Sequence, residues 1–337
     1  MSGLFIFIAM SPRIVILATG GTIVSSGSSS TQLTGYSITD YRAQDLLDAV
    51  PELNAYADID LETVSNIDSS SMNSTIWVAL ARRAQALCDD PSVSGIVITH
   101  GTDTMEETAY FLHLTVHTDK PIVLTGAMRP STAISADGPL NLLNAVRTAT
   151  CPSAKNKGVL VVLNDRILGA RDVTKTDPTN VATFAHQDFG VLGLIAGEHI
   201  EFFRTPIRRH TLHSEFTVPA LPLPRVDIIV SHADDDGLLA QASVAAGARG
   251  IIHAGTGNGS ISKPMEPALV EAARKGVCVI RASRVSGGMV VEGHDRWQDA
   301  GFIPSGTLSA VKSRILLQVA LAHQKKPTDL LRIFSEY

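Results

Sequence analysis

Thr22 follows Thr19-Gly20-Gly21 at the end of an apolar run, Ile14-Val15-Ile16-Leu17-Ala18. Thr102-Asp103 follows Thr99-His100-Gly101 at the end of a second run, Gly95-Ile96-Val97-Ile98. A threonine hydroxyl is a weak nucleophile until a base removes its proton. Lys175, in Arg171-Asp172-Val173-Thr174-Lys175-Thr176, could be that base, with a carboxylate such as Asp103 holding its ammonium form in place. Such a set suggests attack by a hydroxyl on an electrophilic carbon. Each residue also has a plainer role open. Thr22 could cap a helix or help cradle an anion. Asp103 could cap a helix beginning at Thr104, with Glu106 and Glu107 in its first turn. Lys175 taken alone reads as a surface lysine. Thr19-Gly20-Gly21-Thr22 has the spacing of neither a P-loop nor a dinucleotide fingerprint.

For these groups to meet, the two apolar runs must lie near one another. Short β-branched runs stopped by glycine read as buried parallel strands. In open α/β sheets ligands bind at the carboxyl ends of such strands. Strands are expected at 13–18, 95–99, 121–125 and 158–163, and helices at 39–49, 74–88, 104–116 and 138–149. Ser74 is the expected N-cap of the second helix. The alternation predicts a larger N-terminal, doubly wound, mostly parallel sheet over 11–203. Four prolines between 206 and 224 mark 204–225 as a linker. A smaller C-terminal α/β domain follows over 226–337, with strands at 226–231, 250–254 and 277–281 and helices at 237–246, 266–274, 306–323 and 328–335. The tract Ser25 to Ser30 is costly to order and reads as a lid beside Thr22 or as a solvated loop.

Composition narrows the partners. With 337 residues, a hydrophobic fraction of 45% and a net charge of -5, the chain reads as an ordinary globular protein. The acidic balance argues against a nucleic-acid partner. No run approaches the length of a membrane span. Cys88, Cys151 and Cys278 are too few and too irregularly spaced for a disulfide framework or a cysteine metal site, and the histidines show no paired ligand spacing. No metal and no cofactor are expected. The apolar stretch Met1 to Met10 lacks a basic start and reads as an extension or a misplaced start, with a degenerate export signal as the alternative.

Ala18-Thr19-Gly20-Gly21-Thr22-Ile23 and Thr99 to Glu107 closely resemble the two signature segments of the bacterial L-asparaginase family. So do Thr125 to Pro130, Ser135 to Pro139, Gly169 to Thr176 and Gly301 to Thr307, and the likeness runs from about Arg13 to Tyr337. The resemblance implies cleavage of the side-chain amide of L-asparagine, with some activity on L-glutamine. It implies that Thr22 attacks the amide carbon, that Tyr36 orients or helps to deprotonate it, and that Thr102, Asp103 and Lys175 form a second triad. Which threonine leads is left open by the family itself. Backbone N–H groups near Thr102 and Ala127 are implied as the oxyanion donors, of a kind worth about 3–4 kcal/mol. Ser69 is implied to take the substrate's α-carboxylate and Asp103 its α-ammonium. A glutamate from a neighbouring subunit completes the family's pocket. Glu292 is the match, with His294 and Asp295 in competition. The implied assembly is a homotetramer built from tight dimers.

Two positions depart from the pattern. Ser70 stands where the family has glutamine or glutamate, beside Asp68 where a small residue is common. Ser260 replaces an asparagine found in many members. Both bear on the amine end of the pocket and so on the choice between asparagine and glutamine. Cys88 lacks the cysteine partner that exported members carry after the third helix, which leans the chain to the cytoplasm, with the periplasm as the alternative. The rival functions are a glutaminase-leaning amidohydrolase, an amidase subunit serving tRNA-dependent transamidation, and an amino-acid sensor without catalysis.

Overall fold

Along the first strand Ile14 and Ile16 face one side of a sheet while Val15 and Leu17 face the other, and all four are buried. Side chains alternate across a strand, so a run apolar at every position needs cover on both faces. In the computed structural model the described residues are 11–337 apart from 22, 24, 27–28, 33–36 and 39–42. Thr22, Tyr36, Met1, Met10 and the start of the helix expected at 39–49 lie outside them.

The strands are β1 (Arg13–Gly20), β2 (Ser25–Ser26), β3 (Ser37–Ile38), β4 (Asp58–Ile67), β5 (Val93–Thr99), β6 (Ile122–Thr125), β7 (Val159–Leu163) and β8 (Arg166–Gly169). There follow β9 (Thr174–Lys175), β10 (Phe184–Ala185), β11 (Gly193–Ala196), β12 (His199–Phe202), β13 (Val226–Val230), β14 (Gly250–Gly255), β15 (Cys278–Ser283) and β16 (Ile303–Pro304). The helices are α1 (Ala43–Asp48), α2 (Ser74–Asp89), α3 (Met105–Thr115), α4 (Gly138–Thr150), α5 (Leu238–Ala245), α6 (Glu266–Arg274), α7 (Asp295–Asp299), α8 (Ala310–Ala322) and α9 (Pro327–Glu336).

The larger sheet has the order β12-β11-β8-β7-β6-β5-β1-β4. It is parallel from β4 to β7 and antiparallel from β7 through β8 and β11 to β12. The smaller sheet, β13-β14-β15-β16, is wholly parallel. This is the two-domain α/β architecture expected. From β1 the chain moves to β4 on one side, and from β5 it moves to β6 on the other. Where neighbouring strands send their chains apart, a crevice opens at the carboxyl ends.

Helices α2 and α3 cover one face of the larger sheet, and α4 covers the other through Leu142, Ala145, Val146 and Ala149. The crossovers β5-α3-β6 and β6-α4-β7 step in the same direction with their helices on opposite faces. Both hands of crossover are therefore present, a departure from the usual right-handed rule. The first cluster continues through Ile315, Leu316 and Val319 of α8 to Ile252 and Ile280 of the smaller sheet, so one apolar layer joins the two sheets. Each such aliphatic side chain taken from water contributes about 1.5–3 kcal/mol.

Among the local details that differ from expectation, three concern caps, helix starts and the linker. The N-cap of α2 is Asn73, not Ser74, because the Asn73 carboxamide accepts from the N–H groups of Thr75 and Ile76. The last long helix of the smaller domain begins at Ala310, capped by the Ser309 hydroxyl, rather than at 306. The segment 204–225 holds one short turn, Thr211–His213, but lies fastened along α3. Ser214 Oγ donates to Leu114 O at 2.5 Å, and His117 Nε2 donates to Phe216 O at 2.7 Å. Among the described residues no helix is long and apolar enough to cross a membrane.

Candidate active site

The carboxyl ends of β1 and β5 are tied together by a side chain. Thr19 Oγ1 donates to the carbonyl of Thr99 at 2.9 Å. Gly20 and Gly21 both sit at positive φ, 101° and 93°. A Cβ on Gly20 would lie 2.5 Å from Ile67 O, and one on Gly21 would lie 2.3 Å from Gly101 N. Only glycine fits there without strain. The residue preceding Thr22 is thus pressed against the residue preceding Thr102.

Thr102 is buried, and its Oγ1 accepts from Lys175 Nζ at 3.0 Å. The same Nζ donates to Asp103 Oδ1 at 2.6 Å. Lys175 reaches this point from the two-residue strand β9, whose partner is β10. Hydroxyl, amine and carboxylate therefore meet across a separation of 73 residues. Asp103 does not cap α3. The N-cap is Thr104, which makes no side-chain cap, and the Asp103 carboxylate turns to Lys175 instead. Glu106 in the first turn of α3 accepts from Thr174 Oγ1 at 2.9 Å and from the N–H of Lys175 at 3.4 Å. It ties the lysine's strand to the helix that follows Thr102. Sequence reasoning assigned Glu106 only to the helix dipole, and nothing local signals the second role.

Ser69 stands over the same turn. Its Oγ accepts from the N–H of Asp103 at 3.2 Å, and its carbonyl accepts from Thr104 Oγ1 at 2.8 Å. With Oγ engaged as an acceptor, its proton is left for an incoming oxygen. Ser69 opens a short turn, Ser69–Ser71, whose N-cap is Asp68, accepting from the N–H of Ser70 at 2.9 Å. The unusual Asp68 thereby gains a structural role. Ser70 is exposed.

Ala127 is buried in the segment after β6. Asp137 fixes that segment by accepting from the N–H groups of Met128 and Arg129, while Asn141 Nδ2 donates to Gly126 O. Among the described residues no hydrogen bond engages the N–H of Thr102 or of Ala127.

His100 is fully buried behind the turn. Trp77 Nε1 donates to Thr108 Oγ1, which leaves the Thr108 proton for His100 Nε2, both at 2.8 Å. His100 Nδ1 donates to Gly101 O at 2.6 Å. The ring is therefore neutral, and burial lowers its pKa to about 4. It props the backbone that presents Thr102.

Ser260 and Glu292 are brought near one another and not to this cluster. The loop after β14 and the segment 290–292 are joined by Asn258 Oδ1, which accepts from the N–H of Val291 at 2.9 Å. Ser260, Glu292, His294 and Asp295 are all exposed. The His294 ring packs edge-on against Trp297, and Asp295 begins α7. Among the described residues none of the four bonds to Ser69, Thr102, Asp103 or Lys175 in its own chain. No group of three His, Cys, Asp or Glu side chains that could hold a metal occurs among the described residues.

The pattern described as Asparaginase, N-terminal, matches residues 13–208, and that described as Glutaminase/Asparaginase C-terminal domain matches residues 225–334. The chain belongs to the asparaginase family. It is 48% identical to L-asparaginase 2 of Escherichia coli (strain K12), over 97% of this chain and 93% of that one. It is 44% identical to the glutaminase-asparaginase of Pseudomonas fluorescens biotype A, over 96% and 90%. The crystal structure of a probable cytoplasmic L-asparaginase from Campylobacter jejuni superposes with a TM-score of 0.94 at 46% identity, covering 97% of this chain and all of that one. In this member of the asparaginase family the turns after β1 and β5 and the strand β9 are among the segments that carried the resemblance.

Proposed function

We propose that this chain hydrolyses the side-chain amide of L-asparagine to L-aspartate and ammonia and accepts L-glutamine as a second substrate. The observation that carries the reading is Lys175 Nζ, held between Thr102 Oγ1 and Asp103 Oδ1 beside the Ser69 hydroxyl. The names of the E. coli and P. fluorescens relatives support asparagine first and glutamine beside it. Ser70, short and exposed, leaves the amine end of the pocket without a long amide side chain, which suits tolerance of both substrates.

In the first half-reaction the Thr22 hydroxyl attacks the amide carbon, with Tyr36 orienting it. The new carbon–oxygen bond gives a tetrahedral centre whose oxyanion meets the N–H groups of Thr102 and Ala127. The carbon–nitrogen bond then breaks, the nitrogen takes the threonine's proton, and ammonia leaves. In the second, a proton passes from water through Thr102 to Lys175 as the water attacks the acyl ester, and it is handed back to the Thr22 oxygen as that carbon–oxygen bond breaks, releasing aspartate and restoring the threonine. Ser69 takes the α-carboxylate and Asp103 the α-ammonium. Glu292 from the smaller domain of a neighbouring copy closes the pocket, in a homotetramer of tight dimers. Residence in the cytoplasm is supported by three free cysteines and by the name of the C. jejuni relative.

The test is ammonia release from L-asparagine and L-glutamine, with Thr22→Ala and Thr102→Ala compared for an acyl-enzyme trapped by acid and weighed by mass spectrometry. Release by the parent with no adduct in Thr22→Ala is the expected result. An adduct that persists in Thr22→Ala and vanishes in Thr102→Ala transfers the nucleophile to Thr102. Binding of both amino acids without release overturns hydrolysis in favour of a sensor.

A further inference from the structure

Lys312 has no part in the chemistry above, yet its ammonium lies in the interior with 1% of the residue exposed. Burying a charge is costly unless it is paired and hydrogen-bonded. Nζ donates to Ala170 O at 2.5 Å and to Val173 O at 3.0 Å, and it lies 5.5 Å from the centre of the Tyr110 ring. Glu106, Glu107 and Asp172 favour its charged form and Arg171 opposes it. Burial outweighs them and lowers its pKa to about 8.

The two carbonyls belong to the turn that delivers Lys175. That turn is closed on its other side by the N–H groups of Asp172 and Val173, which both donate to Gly169 O. Two residues beyond Val173 the Lys175 amine meets Thr102 and Asp103. Lys312 itself stands in the first turn of α8, in the smaller domain. A second strut runs in parallel, since Arg171 donates to Thr307 Oγ1 at 2.9 Å and to the carbonyl of Tyr337 at 3.0 Å. The smaller domain thus grips the turn at two points. The larger domain grips the following residues through Glu106.

We propose that Lys312 is a positioning residue for Lys175: through the carbonyls of Ala170 and Val173 it sets where the Lys175 amine stands against Thr102 and Asp103. The proposal rests on the hydrolase reading for its rate effect and stands apart from it for its geometry. A methionine fills the same volume but leaves the carbonyls of Ala170 and Val173 without this donor, and an unsatisfied buried carbonyl costs stability. A displacement of about 1 Å at a reacting group is of the size that costs ~100-fold in rate.

Lys312→Met is expected to unfold somewhat below the parent's temperature, to lose about 10- to 100-fold in kcat at a temperature where it is folded, and to keep KM within about two-fold. Lys312→Gln, which keeps two N–H donors on a shorter stem, is expected to recover part of the lost kcat. It also serves where Lys312→Met does not fold. The second readout needs no turnover: the reactivity of the Lys175 amine toward limiting acetic anhydride, mapped by mass spectrometry, is expected to change in Lys312→Met. The distant exposed lysines serve as the internal reference. Unchanged kcat with unchanged Lys175 labelling overturns the proposal. A kcat loss that follows melting temperature equally in both variants reduces Lys312 to a structural group and also overturns it. If the parent releases no ammonia, the hydrolase reading falls while the labelling still decides the placement of Lys175.

Discussion

The carboxyl end of the larger sheet and that of the smaller sheet are built from the same elements and treated differently. After β5 the turn is bonded on every side, by Ser69 above, His100 behind, Lys175 across and Thr19 from β1. After β14 and β15 the corresponding loops present Ser260 and Glu292 to solvent. Two of the buried histidines, His100 and His253, repeat the contrast. His100 uses both ring nitrogens, whereas His253, within β14, has neither nitrogen bonded among the described residues. Groups that move protons need fixed geometry, and fixing them takes a second ring of partners. Groups that only recognise one end of a substrate tolerate a looser mount. On the function proposed above, reactivity belongs to the first end and selectivity to the second.

The sharpest way to break that division is to remove the amine at the centre of the first. Lys175→Met keeps length and burial and deletes the bridge between Thr102 and Asp103. A positioned proton-transfer group contributes about 10²–10⁴-fold, so ammonia release is expected to fall about 1,000-fold, with asparagine and glutamine affected alike. Steady-state kinetics on both substrates check it. A variant that lost one substrate and kept the other would place selectivity at the catalytic end.

Much of this was legible before any coordinates, for physical reasons that also mark the limits. A buried parallel strand must be apolar on both faces, so β1 and β5 announce themselves, and their closing glycines announce the crevice. β4 escaped notice because it is an edge strand with Asp58, Asp60 and Glu62 alternating into solvent, and β8, β11 and β12 are too short for any period to show. Asp103 beside Thr104 has the pattern of a cap, and only a lysine 72 positions away explains why it is not one. Lys312 in Ser309-Ala310-Val311-Lys312 resembles any solvent-facing lysine in a first helical turn. Its burial follows from the packing of α8 on α3, which no local window contains.

The histidines give a second, smaller test. Burial holds both His100 and His253 at a pKa of about 4 against 6.5. Below pH 6.5 the unfolded chain takes up protons that the folded chain refuses until about pH 4. The stability tied to each neutral ring is therefore present above pH 6.5 and is lost as pH falls through that window. Between pH 7 and pH 5 the loss is on the order of 2 kcal/mol for each. Urea unfolding is expected to lose that much of its acid dependence in either His100→Gln or His253→Gln. Only His100→Gln is expected to slow ammonia release at pH 7, because only its ring props the Gly101–Thr102 turn. Equal slowing in both would dissolve the contrast between the two ends.

The smallest effects should come from the open end. Glu292 and Ser260 are exposed at the carboxyl end of the smaller sheet, so replacing them disturbs little packing. Glu292→Gln removes a charge that the substrate's ammonium would feel from a neighbouring copy, and such a contact is worth about 1 kcal/mol at a partly solvated site. KM is expected to rise about five-fold for both substrates with kcat nearly unchanged. The same change at Asp295 is expected to do nothing, and the reverse outcome would give Asp295 the role. Ser260→Asn lengthens the side chain at the same end and should shift the ratio of asparagine to glutamine turnover by about two- to three-fold, the scale expected when a pocket must tell apart two amides differing by one methylene. Mixing Glu292→Gln subunits with Thr102→Ala subunits sharpens the point. If the acid acts across an interface, hybrid assemblies contain some pockets with every group intact, and activity per intact Thr102 at low substrate rises above that of Glu292→Gln alone. If it acts within its own chain, mixing restores nothing.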